Sequence, residues 1–112
     1  MKLYGLKTCE TCRKAIRALK ESGRAVVFRD LRADGVSKQQ LEAWAKAVGW
    51  EKLLNKASTT WRGLPDAKKA GLDERKALAL LAENPTLIKR PVIEAEGKIF
   101  VGWSAATREA LR

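Results

Sequence analysis

The chain has 112 residues, 46% of them apolar, a formal net charge of +10, two cysteines and no histidine. That length suits one domain around one core, and no run approaches the ~18 apolar residues that a membrane span needs. The lack of histidine excludes Ser-His-Asp and Cys-His activation of a nucleophile, together with every histidine-based metal site.

The first element is the short apolar run Met1 to Leu6, which reads as a strand. Cys9-Glu10-Thr11-Cys12 follows, and a helix-periodic stretch begins at Cys12. Cys12, Ala15, Ile16 and Leu19 fall at i, i+3, i+4 and i+7, on one helical face, and Gly23 reads as the stop. Ala25 to Phe28 reads as a buried strand ending at Arg29-Asp30. Two apolar strands about 20 residues apart across a helix suggest a parallel βαβ unit.

The middle of the chain reads as helical. Ser37 and Gln40 form a capping box, Leu41, Trp44, Ala45 and Val48 make a buried stripe, and Gly49 closes the helix. Trp50, Leu53 and Leu54 suggest a further turn. Ser58 to Gly63 shows no period and reads as a loop carrying Trp61 and Arg62. Pro65-Asp66 starts a short helix that stops at Gly71, and Asp73 caps another that ends at Asn84-Pro85. The last third changes character. Val92 to Glu94 and Lys98 to Val101 read as strands joined by a tight turn over Ala95-Glu96-Gly97, and Ser104 caps a final helix. The whole reads as one α/β domain, 1–112, of order βαβ, helices, ββα.

The chemistry concentrates where the first strand meets the first helix. A helix N-terminus presents unpaired N–H groups and partial positive charge. A cysteine placed there is expected to ionise below the roughly 8.5 of a free thiol, and the thiolate is the reactive form. Cys9 is the candidate nucleophile. Cys12 lies one turn in, at a separation that suits a disulfide, roughly 5.5 Å between Cα atoms. It reads either as a resolving or switch thiol or as a small apolar residue packed in the core. A lone CxxC supplies two of the four ligands that zinc takes, so no metal is expected there. Lys89-Arg90-Pro91-Val92 opens a strand with proline, a position proline tolerates. Arg90 reads as a fixed cation for a thiolate or oxyanion, or as a surface residue, and Arg62 as a loop cation or a solvated one.

The basic excess fits nucleic acid, an acidic protein or a solvated surface. No run of five or six basic residues occurs, and an anion such as glutathione is drawn to such a surface. The N-terminus lacks a signal-peptide layout, so a cytoplasmic protein is expected. In that compartment paired cysteines are more often redox-active or metal-binding than structural.

Taken in order, several motifs resemble the arsenate reductase-like family with its Spx and YffB branches. They are Leu3 to Ala15, Gly49 to Asn55, Thr59-Thr60-Trp61-Arg62, Leu87 to Val92, and Val101-Gly102-Trp103-Ser104. The Gly-Trp and Thr-Thr-Trp-Arg segments look closest to the YffB-like branch. The resemblance implies a thioredoxin-like fold, a mixed four-stranded sheet with a helical insertion at about 37–84, and a cis Pro91. It also implies Cys9 as nucleophile, with Arg62 and Arg90 as two of the three arginines that hold an oxyanion in arsenate reductases. The third would fall near Trp103, where this chain has no arginine. A cysteine at position 12 is typical of the Spx branch. The expected catalytic set is therefore Cys9, Cys12, Arg62 and Arg90, with Thr8, Thr11, Arg13 and Pro91 as substrate-binding residues. The expected function is a glutathione-dependent thiol–disulfide oxidoreductase with no bound cofactor, a monomer acting on a small thiol, disulfide or oxyanion, with glutaredoxin as a candidate partner. The alternatives are a Spx-type redox regulator that binds RNA polymerase, and an arsenate reductase.

Overall fold

A computed structural model describes residues 1–111. Its elements follow in the order β1 (Lys2–Gly5), α1 (Glu10–Glu21), β2 (Val27–Asp30), α2 (Lys38–Val48), α3 (Trp50–Leu53), α4 (Thr59–Gly63), α5 (Asp66–Lys69), α6 (Glu74–Glu83), a 3₁₀ turn (Pro85–Leu87), β3 (Val92–Ala95), β4 (Lys98–Val101) and α7 (Ala105–Ala110). They group into two compact units. One combines Met1–Asp34 with the segment from Arg90 onward, and the other is Gly35–Lys89.

The first unit carries a mixed sheet of strand order β2-β1-β3-β4. β1 runs parallel to β2, with Leu3 opposite Phe28, and antiparallel to β3, with Leu3 opposite Ile93. The parallel pair needs a crossover, and α1 provides it. Side chains alternate across a strand, so Leu3, Ile93 and Ala95 share one face. They pack with Cys12, Ala15 and Leu19 of α1 and with Leu111 beyond α7. Fully burying a leucine or isoleucine stabilises by about 1.5–3 kcal/mol, so Leu3 and Ile93, both without exposed surface, anchor this face. The hairpin between β3 and β4 turns on Glu96 and Gly97, both at positive φ (52° and 75°). That geometry matches the right-handed twist of two-residue hairpins.

Local readings in this unit are corrected, and Ala95, read as part of the turn, instead closes β3 opposite Lys98. The second strand starts at Val27 rather than Ala25 and is not buried: Val27 is 47% exposed and Phe28 half-buried. β2 lies at the sheet edge, so its apolar run does not meet neighbours on both sides. The first helix begins at Glu10, with Cys9 as its N-cap, ahead of the apolar stripe. Residues of a first turn are chosen for capping and charge, so the period does not mark them.

Asp30, at the end of β2, is the buried carboxylate of this unit. Its Oδ1 accepts the N–H groups of Arg32 (2.8 Å) and Ala33 (2.9 Å), and its Oδ2 accepts that of Lys7 (3.2 Å). The Ala33 amide, outweighing the opposing effect of burial, and the Lys7 and Arg32 amides hold this carboxyl below its ordinary value. Asp30 thereby ties the loop between β1 and α1 to the neighbouring strand.

In the second unit the Ser37–Gln40 capping box is present, and Trp44, Leu41 and Leu53 are fully buried. The segment expected as a loop, Ser58 to Gly63, contains helix α4. Ser58 Oγ caps it by accepting the Trp61 N–H at 3.1 Å. Five residues make less than two turns, too few to display a period. Leu54 bridges Ile88, and the Lys89 N–H donates to the Leu53 carbonyl at 2.7 Å, which fixes the chain just before Arg90. Among the described residues no helix is long and apolar enough to cross a membrane.

Ile93→Ala is expected to destabilise the protein by about 2–5 kcal/mol in denaturant unfolding. Asp30→Asn is expected to flatten the acid limb of stability. A depressed folded pKa contributes stability that is complete above the unfolded carboxylate value of about 3.9 and fades as pH falls through the lower folded value. Unfolding midpoints of the two proteins should therefore differ at pH 7 and converge as pH falls below the lowered folded value of Asp30.

Candidate redox-active site

The loop from β1 into α1 is held by its backbone. The Cys9 N–H donates to the Leu6 carbonyl at 3.0 Å, and the Cys9 carbonyl accepts the Arg13 N–H at 3.1 Å. Lys7 is pinned from both sides: its N–H meets Asp30, and its carbonyl accepts Arg13 Nε at 2.8 Å. Cys9 is thus fixed as the N-cap of α1 with extended backbone (φ −81°, ψ 116°). Its side chain is half-buried, while Cys12 is completely buried, and both are free thiols.

No conventional hydrogen bond joins the Cys9 side chain to the α1 backbone. The Cys12 amide nevertheless acts on the sulfur. Partial burial opposes ionisation of Cys9. The Cys12 amide, the Cys12 thiol and the Arg90 guanidinium favour it, and the balance lies below the ordinary cysteine value. Cys12 is pushed the other way, up to about 12, by burial, and the neighbouring Cys9 adds to the effect against the Leu6 amide and Arg90. The pair is therefore asymmetric: one thiol inclines to the anion, and the other holds its proton beside it.

Arg90 reaches this place through the sheet. β3 enters opposite Tyr4 at Val92, so the antiparallel register carried back brings Pro91 toward Gly5 and Arg90 toward Leu6. The Arg90–Pro91 peptide is cis, Pro91 is buried, and its carbonyl accepts the Gly102 N–H at 2.8 Å.

Cys9, Cys12 and Arg90 are brought together in the first unit. Thr8, Thr11 and Arg13 surround Cys9 in the chain and are exposed. Arg62 belongs to the second unit, on α4, where its Nη2 donates to the Ala57 carbonyl at 2.7 Å. Trp103 is half-buried against the core cluster. Trp61 lies under Lys56 and Lys69, whose Nζ atoms are 5.8 and 5.4 Å from its ring. A groove of about 410 Å³ is lined by Ala18, Leu19, Ser22, Trp103 and Arg108. It lies roughly 14 Å along α1 from Cys9, at 1.5 Å per residue. Among the described residues no group of three or more His, Cys, Asp or Glu could hold a metal ion. Asp30 was not singled out by the sequence. Its signal is an aspartate ending an apolar strand and followed by Leu-Arg-Ala-Asp, a composition that favours side-chain-to-backbone turns.

The comparisons with known proteins agree with this architecture. The ArsC family model matches residues 4–111. A Haemophilus influenzae protein is 42% identical over 108 residues, which cover 96% of this chain and 95% of that one. The solved structure of the YffB protein PA3664 has a TM-score of 0.93 and 42% identity, covering 98% of this chain and 96% of its own. An arsenate reductase-related protein from Brucella melitensis has a TM-score of 0.78 and 38% identity, covering 97% and 91%. The fold is thioredoxin-like, the likeness to the YffB branch is supported, and the chain belongs to the ArsC family.

Proposed function

We propose that this protein is a glutathione-dependent thiol–disulfide oxidoreductase whose nucleophile is Cys9. The supporting observation is the convergence on one half-buried sulfur of the Cys12 amide, the Cys12 thiol and the Arg90 guanidinium, all of which favour its anion. In the first step the Cys9 thiolate attacks one sulfur of a disulfide. The S–S bond breaks, the other half leaves as a thiolate, and Cys9 holds a mixed disulfide. In the second step a glutathione thiolate attacks that bond and releases Cys9. Alternatively Cys12 gives up its proton and attacks Cys9, the mixed disulfide breaks, the half it held leaves as a thiolate, and two glutathione molecules reduce the resulting Cys9–Cys12 bond while becoming one oxidised glutathione.

Arg90 serves the first step by lowering the charge cost at Cys9. A guanidinium also pairs well with planar carboxylates, and glutathione carries two. The formal charge of +10 favours encounter with such an anion. Thr8, Thr11 and Arg13 flank Cys9 in the chain as candidate contacts for the substrate, and Pro91, immediately before β3, is a further candidate from the family resemblance. Arg62 is a further candidate cation whose role rests on the family resemblance. Arsenate reduction is less well supported, because Trp103, half-buried against the core, stands near the position of the third oxyanion arginine.

Alkylation of Cys9 by iodoacetamide should follow a titration below that of a free cysteine. Arg90→Gln should move that titration upward, because losing a nearby cation disfavours the anion. A wild-type profile matching free cysteine would remove the mechanism. Incubation with oxidised glutathione should give, by mass spectrometry, either an adduct on Cys9 or a Cys9–Cys12 bridge. Cys12→Ser should accumulate the adduct, and Cys9→Ser should give neither. A wild-type protein left unmodified would end the glutathione assignment.

A further inference from the structure

Gly5 is the last residue of β1 and lies beneath the cysteine pair. It pairs with Asp30 of β2, and its carbonyl accepts the Leu31 N–H at 2.8 Å. Its φ is not positive, so the backbone there is one that any residue adopts. Glycine in a strand interior is otherwise unfavourable, and it commonly marks a close approach by another group. Here that group is Cys12. A Cβ placed on Gly5 would stand 2.3 Å from Cys12 Sγ and 3.2 Å from Cys12 Cβ. Contacts to a Cβ below 3.0 Å are essentially never seen. At Gly23, Gly35, Gly49, Gly63, Gly71 and Gly97 the same atom would meet nothing within 4 Å.

Cys12 has little room to give way. It is fully buried, its backbone belongs to α1, and it packs among Leu3, Ala15, Leu19 and Ile93. The freedom left to its sulfur is rotation about χ1. That rotation takes Sγ away from the Leu6 amide and Cys9, which act on it together with Arg90.

We propose that Gly5 is a positioning residue of the cysteine pair: its missing side chain forms the recess that keeps Cys12 Sγ beside Cys9. It deepens the redox reading above and rests on it. With Sγ in place, the Cys12 thiol donates to the Cys9 thiolate. Once Cys9 carries glutathione, Cys12 Sγ is placed to attack it. In that step Cys12 loses its proton to water, the Cys9–glutathione S–S bond breaks, the Cys9–Cys12 bond forms and glutathione leaves as a thiolate. Overall, two protein thiols are oxidised and one oxidised glutathione becomes two reduced molecules.

The test is Gly5→Ala, treated with oxidised glutathione while the two glutathione releases are timed and Cys9 alkylation is followed against pH. First release reports attack by Cys9, and second release reports closure by Cys12. Gly5→Ala should slow the second release by about tenfold to a hundredfold, the scale of a misplacement near 1 Å, and should raise the Cys9 titration. In a Cys12→Ala background, adding Gly5→Ala should leave the Cys9 titration where Cys12→Ala alone puts it. Second release at the wild-type rate with an unchanged titration would overturn the assignment. If Gly5→Ala fails to fold, Cys12→Ala should restore folding by removing the sulfur it strikes, and a double variant as unfolded as the single one would equally overturn it. A wild-type Cys9 that titrates as a free thiol would instead defeat the redox reading itself, with the restoration of folding still judging Gly5.

Discussion

The site depends on a contest at one sulfur. Partial burial takes Cys9 out of water and raises the free energy of its anion. Burial alone would make it an inert thiol of the kind found in many cores. The outcome is reversed because several weak donors act together: an amide of the first turn of α1, a neighbouring thiol and a guanidinium. Each acts over a short distance in a medium less polarisable than water, where electrostatic effects grow. The α1 N-terminus adds its partial positive charge in the same direction. A fully exposed cysteine would escape the desolvation penalty and would also lose most of the benefit of these donors.

The sheet delivers the donors. β1 and β3 are its central strands, and their antiparallel register sends the chain before Val92 back along the end of β1, toward the loop that holds Cys9. Arg90 is therefore brought to Cys9 by strand pairing rather than by proximity in sequence. On the other side of β1, the parallel partner β2 ends in Asp30, whose carboxylate grips the Lys7 amide. The cysteine loop is anchored by both neighbours of one strand. Gly5, at the end of that strand, admits the sulfur of Cys12 from above.

Much of this was legible in the residue order, and the exceptions have physical causes. The apolar stripe of Cys12, Ala15 and Leu19 and the Ser37–Gln40 box are local patterns, and each forms as the residues indicate, while the hairpin turn is Glu96-Gly97, one residue shorter than Ala95-Glu96-Gly97. Helix α4 leaves no period in the sequence because five residues have no stripe to show, and its one local mark is the Ser58 cap. Val27 misled because an apolar residue reads alike on an edge and in the centre of a sheet. From its own segment Arg90 reads equally as a cation for the thiolate or as a surface residue, and the family resemblance favours the first, since nothing local to Lys89-Arg90-Pro91 says which strand it will meet. Gly5 and Asp30 were overlooked for the same reason: their significance lies in what lies across from them, a sulfur in one case and the amide of Lys7 in the other.

The two readings of Cys12, as redox partner and as packed core residue, are not rivals in this geometry. Burial is the larger cause of its raised pKa, and the charge of Cys9 adds to it. While Cys9 is an anion, Cys12 keeps its proton, stabilises that anion and fills the core, so it does not compete as a nucleophile. When Cys9 becomes a mixed disulfide its charge disappears, and with it one of the causes that hold the proton on Cys12, while the pull of Arg90 and the Leu6 amide remains. Burial still opposes ionisation, so under the proposed function Cys12 would attack more slowly than an exposed thiol, and a thiol reductant in solution would compete with it for the same bond. Under the proposed function, the opposed shifts of the two thiols therefore put Cys9 before Cys12.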